Sequence, residues 1–204
     1  GIAPLSPSLD TAGVLTRSSE DAALAFASLD PHTGDANAFL RKCQLAEAGR
    51  FTLGVCEWMF EGNDPGVAEA VHAAVAELEK AGARIVKIDV PNLIELHELF
   101  RQGGIASMEF AAFINRPGME KWKASLDPIV RSRFAAIEAV PAREYIARVQ
   151  RIGQMAQEAK PVFDQVDAII GPTIPITPPK IADLQSVDAY QAKNLLSLRN
   201  TSVG

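Results

Sequence analysis

The chain has 204 residues, 48% of them hydrophobic and 22% charged, with a formal net charge of −5. That composition describes a globular domain with a substantial core, and its acidic balance argues against generic nucleic-acid binding, which needs clustered Lys and Arg. Two cysteines, Cys43 and Cys56, supply neither a disulfide framework nor a metal spacing and fit a reducing, cytoplasmic setting. The apolar runs are too short to span a bilayer.

Residues 1 to about 17 are turn-rich. Pro4 and Pro7 fix φ, Asp10 and Thr11 can bond their own backbone, and Gly13 can take positive φ. Ser18 and Asp21 open a short alanine-rich helix over 18–29, which Asp30-Pro31 ends. A polar loop over 30–37 leads to a second short helix over 37–48, stopped at Gly49. Residues 51–57 read as a strand, with Gly54 marking a close approach of backbone or ligand.

The best-defined helix spans 64–81. Asp64 is placed to cap it, Pro65 sits at its first position and Gly82 supplies the left-handed stop. Val67, Val71, Ala74, Val75 and Leu78 form its apolar stripe. With strands 51–57 and 84–90 on either side, the unit reads as βαβ with a parallel pair.

Helix dominates from 92 to about 164. Gly103-Gly104 should divide the stretch Leu93–Phe113, and Arg116-Pro117-Gly118 is a turn. A helix over 127–139 precedes a long one opened by Pro141. Tyr145, Ile146, Val149, Ile152, Ala156 and Phe163 are expected on its apolar side, and Pro161 lies in its last turn. A strand over 168–171 enters a proline-rich loop, and a final helix runs over 187–198. The basic stretch from Arg116 to Arg133 is broken by Glu120 and Asp127 and reads as a solvated face.

The residues that could carry chemistry are few. Ser6, Ser8, Ser18 and Ser19 have turn and helix-start positions, with no base at a recognisable spacing. His32, His72 and His97 form no paired-ligand pattern, and no glycine-rich fingerprint follows a strand, so neither a metal nor a cofactor is indicated. Glu109 stands alone in the small, apolar run Gly104–Ala112. Such a charge must be paired or face a cavity, so it reads either as an ion-paired helix glutamate or as a group on the substrate side. Thr173 and Ile174 occupy a loop leaving the carboxyl end of a strand, where open α/β sheets place ligand contacts.

Two motifs carry a resemblance. Pro4, Leu5, Ser6, Ser8, Asp10, Gly13, Arg17, Ser18, Asp21, Ala22 and Ala23 fit a pattern P-L-S-x-S-x-D-x-x-G-x-x-x-R-S-x-x-D-A-A. Asp167–Pro175 fits D-x-(apolar)3-x-P-T-x-P, and Leu198–Gly204 leads into a glycine-rich segment. Together with Phe51–Cys56, Lys80–Gly82 and Arg84–Val90 in the same order, the run resembles the downstream part of the amidase signature family.

That resemblance implies an α/β fold in which residues 1–204 form one partial domain, contributing to a mixed sheet covered by helices. It implies an amidohydrolase that cleaves the carboxamide C–N bond of a small molecule through a serine acyl-enzyme. The family's serine nucleophile, relay serine and lysine base precede the matched segment, so no catalytic residue is assigned here and the chain by itself is expected to be inactive. Asp10, Thr11 and Arg17 are then candidates to support the site, with Asp10 holding backbone donors or Arg17. The alternatives are a non-catalytic scaffold or regulatory domain, and a tRNA-dependent amidotransferase subunit. The latter resembles a pattern with an Arg-Phe-Asp-Gly-type run where this chain reads Met108–Asn115. A homo-oligomer is expected, because strands with missing neighbours leave open edges.

Overall fold

The computed structural model describes residues 3–135 and 137–203. Among them, three short strands form one parallel sheet: β1 (Thr52–Cys56), β2 (Arg84–Ile88) and β3 (Ala168–Ile170), in the order β2-β1-β3. The fold is therefore α/β, as the strand–helix–strand pattern predicts. Central β1 pairs Gly54 with Val86 on one side and with Ile169 on the other. Asp167 closes the start of β1 onto β3: its carboxylate accepts from the Thr52 N–H at 2.7 Å, and its own N–H donates to the Thr52 carbonyl at 2.8 Å.

The helices that precede and connect the strands follow the predicted order. Helices α1 (Ser19–Leu29) and α2 (Ala36–Gln44) pack against each other, with the Phe26 and Phe39 rings 5.6 Å apart. Ser18 caps α1 by accepting from the Asp21 N–H. Helix α2 stops four residues short of the predicted end, and Ala48–Arg50 makes a 3-10 turn instead. Helix α3 (Val67–Lys80) connects β1 to β2, burying Val75, and Gly82 takes φ 106° after it.

The start of α3 departs from the sequence reading. Gly66, not Asp64, is the N-cap, at φ 88°, and its N–H donates to the Glu69 carboxylate at 2.9 Å. Asp64 is engaged elsewhere, accepting from the Thr177 N–H and hydroxyl at 2.8 Å each, while its N–H donates to the Pro175 carbonyl. A cap is worth about 1 kcal/mol; three bonds to another loop outweigh it. Gly54 is likewise explained by packing within the sheet. A Cβ there would meet the Ile88 side chain at 2.7 Å, so the close approach is that of Ile88 and not of a ligand.

The return from β2 to β3 is long and helical: α4 (Leu93–Arg101), α5 (Ala106–Ile114), α6 (Glu120–Ser125), α7 (Pro128–Ala135) and α8 (Ala142–Phe163). Gly103 (φ 93°) and Gly104 (φ 55°) divide α4 from α5 as their sequence requires. The predicted helix over 127–139 shortens to α7 and a 3-10 turn, Ile137–Ala139, with Ala136 outside the described residues. The predicted final helix is α9 (Val187–Ser197), and Gly204 lies outside the described residues.

Helix α8 is rotated relative to its apolar pattern. Ile146, Val149 and Phe163 are 53, 39 and 54% exposed, and Ala156 is exposed, whereas Arg148 and Met155 are buried. Arg148 explains the difference. Its guanidinium donates to the carbonyls of Gln102 (3.0 Å) and Gly104 (3.2 Å) and pairs with Glu144 (2.8 Å). Carbonyls freed where α4 ends need donors, and a buried arginine meets that need more strongly than exposing a few methyl groups costs.

The carboxyl ends of the strands are tied by Arg199 and Asn200. The Asn200 amide donates to the carbonyls of Met59 (2.9 Å) and Pro172 (2.7 Å). Arg199 donates to the carbonyls of Glu61 and Met59 and to the Asn63 side chain, and its guanidinium lies 5.3 Å from the Trp58 ring. Asn200 is buried, so replacing it with Ala strands the Pro172 carbonyl and leaves that of Met59 with Arg199 alone. Asn200→Ala is expected to lower unfolding stability by about 1–3 kcal/mol, read as a fall in urea midpoint.

Strands β2 and β3 each have an outer edge without a partner among the described residues. Leu15, Leu45 and Ile181 are more than three-quarters exposed. Open edges and apolar surface favour association. The 204-residue chain by itself is expected to self-associate at micromolar concentration; a monodisperse monomer in light scattering would contradict this.

Candidate functional site

The polar centre of the molecule is Glu109, on α5. Its carboxylate accepts the Ser6 hydroxyl at 2.7 Å, the Ser8 hydroxyl at 2.5 Å, the Ser8 N–H at 3.1 Å and the Tyr145 hydroxyl of α8 at 2.7 Å. Among the described residues it has no ion-pair partner, and it is not free on a helix surface. Ser6 is 1% exposed and is held entirely within this arrangement. Burial works against the charge, but the bonds from Ser8, Ser6 and Tyr145 prevail and lower the Glu109 pKa to about 2. The Tyr145 hydroxyl is correspondingly pushed up, because losing its proton would set a phenolate against the carboxylate that accepts it.

The serine–carboxylate contact resembles a nucleophile with its base but lacks the required basicity. A general base works best with a pKa near the operating pH. A carboxylate at about 2 takes no proton from a serine hydroxyl near neutrality. Ser8 and Ser6 are anchor donors.

Asp10 completes the loop from within. Its carboxylate accepts from the N–H groups of Leu5 (2.9 Å) and Ser6 (3.0 Å), while the Ser6 carbonyl accepts from the N–H groups of Leu9 and Asp10. Of the two partners expected for Asp10, backbone donors are the ones observed. Residues 11–17 then run exposed and without regular structure, and Thr11 and Arg17 make no hydrogen bond or ion pair among the described residues.

Thr173 and Ile174 lie where the sequence places them, in the loop after β3. Both are exposed, between Pro172 and Pro175, which are fully buried. The loop's position is set by Asp64 and Asn200, neither of which the sequence reading singled out for this role. Asp10 and Glu109 thus meet at one loop, whereas Thr173 and Ile174 belong to another.

Next to the Glu109 loop is an open cleft of about 590 Å³. Leu5 and Leu9 line it together with Leu99 and Ile105 at the α4–α5 corner, Phe134 of α7 and Leu195 of α9. The Ser107 hydroxyl and the Asn194 side-chain amide line it without a hydrogen-bond partner among the described residues. Apolar walls with a few uncommitted polar groups are the usual make-up of a small-molecule site. A shallower recess of about 570 Å³ around Trp58, Leu93 and Ile94 lacks this property, since its Glu95 and Glu98 are paired with Arg151 and Arg101. None of the six residues singled out in the sequence lines the larger cleft. Apart from Leu5 and Leu9 in the N-terminal motif and Leu198 in the C-terminal one, its apolar walls come from residues that no motif marks.

His97 packs edge-on to Trp58 and stacks with Phe100, and His72 stacks on Phe60. Burial lowers the His97 pKa. Among the described residues, no group of three or more His, Cys, Asp or Glu is arranged to hold a metal, and no helix is long and apolar enough to cross a membrane.

Glu109 makes acid stability testable. Its carboxylate is held below the ordinary 4.5, so its contribution is fully present above that value and is lost as pH falls toward 2. Glu109→Gln is expected to flatten the fall in melting temperature between pH 4.5 and 2, and to lower stability at pH 7 by about 1–3 kcal/mol.

Comparison with known proteins places this geometry. A family model described as amidase matches residues 1–203. A 2-amino-5-chloromuconic acid deaminase of Comamonas testosteroni is 39% identical over 204 residues, covering all of this chain and 43% of that protein. A subunit of the glutamyl-tRNA(Gln) amidotransferase of Akkermansia muciniphila is 28% identical over 226 residues, covering 94% of this chain and 47% of that protein. A solved chain from a vestigial complex bearing on the origins of an s-triazine catabolic enzyme superposes with a TM-score of 0.63. That chain is 20% identical, and the match covers 91% of this chain and 42% of it. The chain spans less than half the length of the curated relatives it matches.

Proposed function

The chain belongs to the amidase family, and from that membership we propose that it forms the scaffold and part of the substrate-pocket wall of an amidohydrolase. The reaction is cleavage of a carboxamide C–N bond of a small molecule through a serine acyl-enzyme. A serine oxygen, deprotonated by a base, attacks the amide carbonyl. The tetrahedral oxyanion collapses with proton transfer to the departing nitrogen, and water then hydrolyses the ester. The nucleophile, the relay serine and the lysine base are assigned to residues outside this chain. Among its own serines, Ser6 and Ser8 are committed to Glu109 and Ser18 to a helix cap, and Ser107, which lines the cleft, has no hydrogen-bonded base among the described residues.

The observation that carries this reading is the cleft. It is walled by Leu5 and Leu9 on the segment that resembles the one trailing the family's catalytic serines, and it offers an apolar body with Ser107 and Asn194, whose side chains have no hydrogen-bond partner among the described residues. Arg101 at its rim is already paired with Glu98. The cleft therefore suits an uncharged acyl group better than a dicarboxylate of the kind named in the deaminase relative. The amidotransferase reading is less favoured, since Met108–Asn115 lacks the Arg-Phe-Asp-Gly-type run. Two unpaired cysteines, Cys43 and the buried Cys56, support a reducing compartment such as the cytoplasm.

Full-length protein is expected to release ammonia from aliphatic or aromatic amides, and to do so better than it amidates glutamyl-tRNA or deaminates an amino-substituted muconic acid. The 204-residue chain alone is expected to release none. Hydrolysis by that chain, abolished by replacing one of its own serines, would refute the assignment of the nucleophile elsewhere.

A further inference from the structure

Segment 5–10 is fastened in two different ways. Internally, Asp10 and the Ser6 carbonyl bind the backbone of Leu5, Ser6, Leu9 and Asp10 into one rigid turn. Externally, the described hydrogen bonds that tie this turn to another element all end on the Glu109 carboxylate. Leu5 and Leu9, on either side of the anchored Ser6 and Ser8, face the cleft. Tyr145 approaches the same carboxylate from α8 and fixes its orientation. A rigid turn held at one point moves as a body, so the anchor sets the width of the cleft.

We propose that Glu109 is a positioning residue for substrate selection: by holding Ser6 and Ser8 it sets Leu5 and Leu9 as the wall that discriminates between acyl groups by size. This rests on the reading of the cleft as the substrate pocket. Glu109 itself lies outside the cleft lining and acts through the turn. A shift of about 1 Å in a pocket wall changes reaction rates by up to about 10²-fold, and the effect differs between ligands that reach the wall and those that do not.

The test uses full-length protein with Glu109→Gln, Tyr145→Phe and the double variant, assayed with acetamide and benzamide. Hydrogen exchange is followed at the Ser8 amide, whose N–H is bonded to Glu109, with the β1 amides as a control for global stability. Glu109→Gln is expected to speed exchange at Ser8 but not in β1. The benzamide-to-acetamide ratio of kcat/KM should change about 10-fold or more, mainly through the KM for benzamide. Tyr145→Phe should give a smaller change in the same direction, one that vanishes in the Glu109→Gln background. Equal slowing of both amides, or unchanged exchange at Ser8, would overturn the proposal.

If the parent protein hydrolyses neither amide, the reaction assignment fails separately. Calorimetric titration with benzamide then decides the role of Glu109. Weaker binding to Glu109→Gln supports it, and equal binding or no binding to the parent overturns it.

Discussion

Strands that run parallel cannot be joined by tight turns, and this constraint shapes the whole molecule. The first return, α3, is a single amphipathic helix between β1 and β2. The second runs from Leu93 to Phe163 before β3 pairs with β1. That excursion supplies Glu109, Tyr145, Arg148 and most of the cleft. The sheet is small, and its main role is to fix the start and end of a helical layer in which the polar chemistry sits.

Within that layer, the polar groups that matter are buried or half-buried and bonded to distant segments. Arg148 is 8% exposed and is committed to carbonyls at the α4–α5 corner. Glu109 gathers four donors from two elements distant in sequence. Both follow from the cost of burying an unsatisfied charge, and both join segments that hydrophobic contact alone would leave free to slide. The cleft is lined by Leu5 and Leu9 of the turn that Glu109 holds and by Ile105 at the α4–α5 corner that Arg148 holds.

The carboxyl edge of the sheet follows the same rule. Asn200 and Arg199 meet carbonyls from the turn after β1, and Asn200 also meets one from the turn after β3. Asp64 joins those two turns to each other. Thr173 and Ile174 are therefore displayed on a rigid loop, although neither makes a hydrogen bond that fixes it among the described residues.

Local chemistry made much of this legible in the sequence. Proline, glycine and capping residues set the ends of α1, the Gly103-Gly104 break and the stop after α3, because each acts within a few residues of itself. Alternation and apolar runs located β1, β2 and β3 to within one or two residues. The Asp10 turn was also readable, since its donors lie four and five residues away. The partner of Glu109 was not, because Ser6 and Ser8 are about a hundred positions distant and no spacing announces them. The rotation of α8 ran against its own pattern, because Arg148 and Tyr145 answer to carbonyls and a carboxylate on other helices. The sequence by itself determined the elements, their order and the family resemblance. Only the tertiary structure decided which face of α8 is buried, that Glu109 anchors the N-terminal turn, and where the cleft lies. Those outcomes depend on long-range satisfaction of buried polar groups, which no local window of residues contains.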